Sequence, residues 1–260
     1  MSDFKKYLSV YEFNATLPGS GETIMYKPIT TGQMKNLLIY EEDDDPLVIE
    51  EILDDLISSS VITEEFDVDN LYLQDRFYLL IEIRKQSKGK HFSFKITCPE
   101  CGSQSLQNVD LDKLPFTPKE SDVNPFVKVN ENITIGLDFI TRRDQKIAAD
   151  IVNQRKEEMT NMQKLANMSL IATAVAIKVF ITPEGEDTET SIEDKLYFLE
   201  SLNQKEFKKV TDWFEKETFG IDFVTDMRCP HINPPIRKGG PGKPCDFTDR
   251  ITIPLENFFF

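Results

Sequence analysis

The stretch Thr97-Cys98-Pro99-Glu100-Cys101-Gly102 is the most informative part of this 260-residue sequence. Two residues separate its cysteines, a spacing that lets a tight turn direct both thiols toward one point. The other two cysteines of the chain lie far downstream, in Cys229-Pro230-His231 and in Lys243-Pro244-Cys245-Asp246. Because four thiolates suit a tetrahedral structural zinc site, the sequence predicts that Zn²⁺ joins two distant parts of the chain.

The second pair of cysteines is less regular, because residues 230–244 separate Cys229 from Cys245. His231 could therefore replace one cysteine as a ligand. Three other roles stay open: free thiols, a redox pair formed by Cys98 and Cys101, and a catalytic zinc. A redox pair normally begins a helix, whereas this pair lies between two predicted strands. Four thiolates would also fill the coordination sphere of a catalytic zinc, which keeps one position open.

The net charge of −15 limits the classes of partner. Nucleic acids and anionic lipids are bound through Lys and Arg, so we expect neither as a partner. A zinc-ribbon nucleic-acid-binding module remains the second hypothesis. The sequence contains no apolar stretch of ~18 residues and no signal-peptide pattern, which predicts neither membrane spanning nor secretion. Cysteines in such a protein are more often metal ligands than disulfides.

The chain contains a weak internal repeat. Thr23, Ile24, Ile29 and Thr30 align without a gap with Thr134, Ile135, Ile140 and Thr141. In both halves apolar periodicity then predicts two helices, a strand, a cysteine knuckle and a further strand. The predicted pairs are helices over 46–62 and 165–179, helices over 75–86 and 205–218, strands over 91–97 and 221–228, and strands over 105–111 and 247–255.

The repeat predicts an α+β fold of two related helix-rich lobes. Short antiparallel strands lie near the metal, and a pair of Cys-ligated zinc knuckles joins the lobes. We place the N-terminal lobe with the first knuckle at residues 1–113 and a Pro-rich linker at 114–125. The C-terminal lobe, at 126–260, contains the second knuckle, which a Pro/Gly-rich loop over 233–244 interrupts.

Catalytic motifs are scarce. The chain has two histidines, His91 and His231, and it has neither a dinucleotide-binding glycine motif nor a phosphate-binding loop. We therefore predict a non-enzymatic protein with no small-molecule substrate. The sequence ends in Phe258, Phe259 and Phe260. These rings either close the chain's own core or insert into a partner, and we treat them as candidate partner-binding residues.

Several short motifs together resemble a known family. They are Lys-Pro-Ile-Thr-Thr-Gly-Gln-Met-Lys at 27–35, Asp-Arg-Phe-Tyr-Leu-Leu at 75–80, Phe-Lys-Ile-Thr-Cys-Pro-Glu-Cys-Gly at 94–102, Cys-Pro-His at 229–231 and Ile-Pro-Leu-Glu-Asn-Phe-Phe-Phe at 253–260. The chain resembles the small baseplate hub or hub-assembly proteins of T-even-like contractile-tailed bacteriophages.

This resemblance implies a structural or assembly protein without known catalytic residues. Its partners would be other proteins of the tail baseplate, and its place would be the virion tail baseplate, assembled in the host cytoplasm. The second knuckle of the family is a compact Cys-Pro-x-Cys. This chain departs from that pattern at His231 and Cys245.

Overall fold

A computed structural model describes residues 11–38, 46–154, 159–233 and 243–254, together with Phe258. These residues form seven α-helices and several small sheets. The paired strands are antiparallel in each of these sheets. The predicted mixture of helices and short antiparallel strands is therefore confirmed.

The first half runs from one hairpin through three helices to a second hairpin. Its elements are β1 (Phe13–Thr16), β2 (Thr23–Tyr26), α1 (Thr31–Leu38), α2 (Pro46–Ser60), α3 (Leu73–Lys88), β3 (His91–Thr97) and β4 (Gln104–Asp110). Helix α3 ends at Gly89, whose positive φ of 86° a residue with a side chain rarely adopts. Alternation then buries Phe92 and Phe94 on one face of β3.

The second half contains the larger sheet and four helices. Its elements are β5 (Phe116–Thr117), β6 (Phe126–Lys128), β7 (Thr134–Leu137), α4 (Arg142–Gln154), α5 (Asn161–Ala176), β8 (Ile177–Thr182), β9 (Gly185–Asp187), α6 (Ile192–Ser201), α7 (Gln204–Lys216), β10 (Gly220–Ile221), β11 (Val224–Arg228), β12 (Ile232–Asn233), β13 (Lys243–Pro244) and β14 (Thr248–Thr252). Strands β6, β7, β8 and β9 form one sheet in that order.

The helix predicted over 165–179 extends three residues too far at its C-terminal end. Helix α5 stops at Ala176, and the next six residues form β8, which pairs with β7. Four of these six residues are β-branched and a fifth is Phe180, and pairing with β7 and β9 selects the extended conformation. The β8–β9 hairpin and α6 have no counterpart among the described residues of the first half, so duplication of one unit stays a prediction.

Two hydrophobic cores follow the two halves of the chain, but the first core also receives residues from the second half. Phe223, Ile253 and Phe258 are buried in it. The ring of Phe258 lies 5.3 Å from that of Phe92 and 5.4 Å from that of Phe223, measured between centroids. Its carbonyl oxygen accepts a hydrogen bond of 3.0 Å from Nε of the buried Arg84.

This placement bears on the two alternatives left open for the three terminal phenylalanines. Phe258 is fully buried among its own chain's aromatic rings, which agrees with the alternative in which it closes the first core; partner binding by its ring stays a prediction. Burial against two aromatic rings removes a large apolar surface from water, which favours this position over an exposed one. Phe259 and Phe260 lie outside the described residues.

The segment predicted as a linker packs along the boundary between the halves. Within it, β5 pairs with β10, and the carbonyl of Asn124 accepts a hydrogen bond of 2.7 Å from Trp213 Nε1. Lys119 places its ammonium 4.8 to 5.7 Å from the ring centroids of Tyr72, Phe139 and Phe219. The limits of the two lobes remain a prediction.

The first turns of α3 and α4 hold the halves together through their backbones. The N–H of Leu73 donates to the carbonyl of Ile140 at 3.0 Å, and the N–H of Arg142 donates to the carbonyl of Leu71 at 2.9 Å. The first N–H groups of a helix have no acceptor within that helix. Here each helix therefore uses the strand-like residues before the other as its acceptor.

A buried ion cluster lies beside these helix starts. Asp54 of α2 accepts hydrogen bonds of 2.7 Å from Nε of Arg76 and from Nε of Arg142, one arginine from each half. All three residues are buried. Arg76 also forms an ion pair of 2.8 Å with Glu50. We call Asp54, Arg76 and Arg142 the ion cluster. The ammonium of Lys146, at 3.4 Å, is a third cationic partner of Asp54. Removing one member of a buried ion pair leaves an unpaired buried charge and is strongly destabilising.

Candidate metal centre

The structure brings together the four cysteines that the sequence singled out. One ligand atom from each of Cys98, Cys101, Cys229 and Cys245 lies within 4.8 Å of the others. The Sγ atoms of Cys98 and Cys245 are 3.9 Å apart, and those of Cys101 and Cys229 are 3.6 Å apart. Both contacts join one knuckle to the other. We call these four residues the cysteine cluster; metal binding by them stays a prediction at this point.

Each knuckle interrupts a pair of antiparallel strands at the same place. Cys98 follows β3 and Cys101 precedes β4, whereas Cys229 follows β11 and Cys245 precedes β14. The N–H of Cys98 donates to the carbonyl of Ser103 at 2.9 Å. Gly102 has a φ of +69°, which permits the tight turn after the second thiol.

The second knuckle repeats this backbone geometry in spite of its insertion. The N–H of Cys229 donates to the carbonyl of Phe247 at 3.0 Å, and Phe247 stands two residues after Cys245, as Ser103 stands two residues after Cys101. The equivalence places Cys229 in the role of Cys98 and Cys245 in the role of Cys101.

The insertion begins and ends at the same point in space. Strands β12 and β13 pair at its base, and the N–H of Cys245 donates to the carbonyl of His231 at 2.8 Å. The separation of Cys229 and Cys245 along the sequence is therefore not a separation in the fold. Among the described residues the cluster consists of the four cysteines. The His231 side chain is exposed, and its role as a substitute ligand stays a prediction.

The sulfur positions fit a tetrahedral zinc ion. With Zn–S bonds of about 2.3 Å, the edge of a regular tetrahedron of sulfurs is about 3.8 Å. The two measured separations, 3.6 and 3.9 Å, lie on either side of that value. They are far longer than the S–S bond of about 2.05 Å in a disulfide, and all four thiols are free.

Local groups affect the thiols unequally. Hydrogen bonding to the side chain and backbone of Ser103 lowers the pKa of Cys101 to about 6. The Ser103 hydroxyl lies 3.0 Å from the Cys101 sulfur and 3.5 Å from the Cys229 sulfur. At Cys245 the backbone N–H of Phe247 lowers the pKa, but burial and the other three thiols outweigh it and raise the value to about 12. A bound cation would favour deprotonation of all four thiols.

Apart from the Ser103 hydroxyl, the side chains that pack around the sulfurs are apolar. Met227 and three of the cysteines are buried, and Ile96, Phe247 and Ile251 pack against them. Cys101 is the partly exposed member. This arrangement suits a soft cation bound by four protein ligands, with no position left for water. Sequence reasoning missed Ser103 and Met227; the position two residues after Cys101 and the alternation of β11 are the signals that mark them.

The described helices include none whose length and apolar character would let it cross a bilayer. No curated protein and no solved structure matches the chain. The sequence model described as T4 bacteriophage base plate protein matches residues 9–233, which is most of the chain and includes three of the four clustered cysteines. The chain therefore belongs to the T4 bacteriophage base plate protein family.

Proposed function

We propose that this protein is a non-enzymatic subunit of the contractile tail baseplate, acting in the hub or in assembly of the hub, and that a structural Zn²⁺ joins its two halves. The observation that carries the baseplate assignment is the family match over residues 9–233. Membership of this family already makes the chain a component of the phage tail. The hub, the zinc ion and assembly in the host cytoplasm are the finer parts of the proposal.

The support for zinc is the composition of the cysteine cluster. Each half of the chain contributes one knuckle, and sulfur contacts of 3.6 and 3.9 Å run between the knuckles. A metal at this point would connect ligands that are far apart in sequence, so its binding free energy would become folding free energy. In zinc-finger peptides that contribution is about 10 to 16 kcal/mol. A tail machine that contracts under load would benefit from such a fixed joint.

Two other functions fit the described residues less well. A nucleic-acid module would surround its knuckles with basic side chains, but here Lys95, Arg228 and Arg250 alternate with Glu100, Asp246 and Asp249. A redox pair would place its two thiols against each other. Here each of these thiols also contacts a thiol of the other knuckle, Cys98 with Cys245 and Cys101 with Cys229.

The proposed partners are other baseplate proteins, with which the chain makes protein–protein contacts. Phe259 and Phe260 remain proposed contact residues. A phage that lacks its own copy of the gene, complemented by a tagged copy, tests the proposal. We expect the protein, detected by mass spectrometry, in purified baseplates or in their assembly intermediates. If tails assemble normally without the protein, the proposed function is wrong.

A further inference from the structure

A cleft of about 780 Å³ lies at the boundary between the two halves of the chain. Its walls come from the first turn of α3, from α5, from α7 and from β10. Much of the lining is apolar, with Phe77, Phe214 and Ile221 among its members. A concave and largely apolar surface at a domain boundary is a common site of binding.

An exposed face of α5 continues from this cleft. Met162, Leu165, Ala166 and Ser169 occupy positions i, i+3, i+4 and i+7, so they share one face of the helix. Met162 is 78% exposed and Leu165 is 47% exposed. Ser169 lies on the same face and also lines the cleft, as does Thr173 one turn further on. The apolar helix face and the cleft therefore form one continuous surface.

The charges in the cleft have one sign. Glu215 and Asp222 are its charged lining residues. Asp222 pairs with Arg250, whereas Glu215 is exposed and has no ion-pair partner within 4 Å in the described part of the chain. The buried Oε1 atom of Gln74, also in the lining, lacks a hydrogen-bond donor among the same residues. The cleft thus offers acceptors and negative charge.

We infer that the cleft and the exposed face of α5 together bind a segment of another baseplate protein, one that carries large apolar side chains next to Lys or Arg. The inference rests on the proposed function and names the surface through which the subunit would act. Apolar side chains would cover Met162 and Leu165, and a cation would pair with Glu215. A second copy of this chain is a poor occupant, because its net charge is −15.

Photocrosslinking in the assembled baseplate tests the inference. The photoreactive residue p-benzoylphenylalanine replaces Leu165 in the complementing copy, and a matched variant carries it at Tyr197, an exposed aromatic position on α6. We expect Leu165 to crosslink to one segment of another baseplate protein, identified by peptide mass spectrometry as apolar and basic. The Tyr197 variant should not crosslink to that segment.

Charge reversal supplies the second arm of the test. Glu215→Lys should lower incorporation of the protein into baseplates by at least about fivefold, because like charges would then meet across the interface. The control is Glu200→Lys, which reverses the charge of an exposed carboxylate on α6, away from the cleft lining. It should leave incorporation unchanged. Absence of the wild-type protein from baseplates and intermediates would overturn the proposed function and this inference with it.

Three results would overturn the inference alone, given normal incorporation of the wild type. They are an absence of crosslinks at Leu165, a crosslink to an acidic segment or to a second copy of the chain, and equal incorporation of the two charge-reversal variants.

Discussion

The cysteine cluster and the ion cluster both join the halves of the chain, but they do so with opposite chemistry. The cysteine cluster has four like groups that would repel one another once deprotonated, and the proposed zinc would supply the opposite charge. The ion cluster carries its own opposite charges, since Asp54 accepts from Arg76 and Arg142 at 2.7 Å each. Under the proposed function the cysteine cluster would need a metal to join the halves, whereas the ion cluster has its charged partners within the chain.

The contact at the cysteine cluster would thus depend on conditions in the cell, whereas the contact at the ion cluster would not. Zinc supply and thiol oxidation would control the cysteine cluster, because only reduced and deprotonated thiols bind the metal. The buried ion cluster should respond weakly to salt, because burial limits screening. Variants that disrupt one cluster and leave the other intact therefore measure how much each cluster contributes to the free energy of unfolding.

The largest expected effect is at the cysteine cluster. Cys229→Ser removes one ligand of the proposed zinc, so we expect the free energy of unfolding to fall by more than about 5 kcal/mol. Urea denaturation of protein purified with zinc measures the change. Ser103→Ala is the control, because Ser103 contacts two of the sulfurs without being a ligand. Similar stability of the wild type and Cys229→Ser would contradict the proposal that a bound zinc stabilises the fold.

At the ion cluster, Asp54→Asn should lower the free energy of unfolding by about 3 to 5 kcal/mol, because two buried guanidinium groups lose their carboxylate. The same denaturation measurement, repeated in high salt, should give nearly the same loss. Asp55→Asn, on the neighbouring exposed position of α2, is the control and should change little. A loss for Asp54→Asn as small as that expected for Asp55→Asn would show that the ion cluster contributes little to stability.

A smaller effect is expected where β1 and β2 approach the second half. A Cβ at Gly19 would lie 2.6 Å from ring atoms of Phe219 and 2.7 Å from the Asp75 carboxylate. Gly19→Ala should therefore destabilise the protein by about 1 to 3 kcal/mol through overpacking. Thermal unfolding compares it with Gly32→Ala, whose added Cβ would meet Thr30 Oγ1 at 3.8 Å and no other described atom within 4 Å. Equal melting temperatures for the two variants would show that the close packing of Phe219 and Asp75 against Gly19 does not restrict this position.

The smallest effect is expected at Lys119. Lys119→Met keeps much of the side-chain volume but removes the charge that lies near three aromatic rings, so we expect a loss of about 1 kcal/mol. Lys205→Met, at an exposed position of α7, serves as the control. Denaturation should separate the two variants, and a loss at Lys205 as large as that at Lys119 would argue against a specific cation–π contact.

Local patterns in the sequence were sufficient to predict the elements around the knuckles. Alternation of apolar residues marked β3, and Cys98 and Cys101 marked the turn that follows it. The pairing of distant cysteines followed from the preference of zinc for four ligands. The intact geometry of the second knuckle was not predictable, because the contact of Cys245 with His231 depends on how the inserted residues return.

The ion cluster was also not predictable from the sequence. Asp54 and Arg142 are 88 residues apart, and 29% of the chain is charged, so many other pairings were equally plausible. One signal was present: Asp54 lies on the apolar side of α2, beside the buried Leu53 and Ile57. A carboxylate in such a position needs a partner, but the sequence does not name it. The end of α5 was missed because the tertiary pairing of β8 overrides local periodicity.

Zinc content by elemental mass spectrometry of the purified protein tests the central claim most directly. We predict one zinc per chain in the wild type and in His231→Ala, and none in Cys101→Ser or Cys245→Ser, since both knuckles supply ligands to one ion. Wild-type protein without zinc, or a Cys245→Ser variant that keeps it, would contradict the account of a metal that joins the two halves.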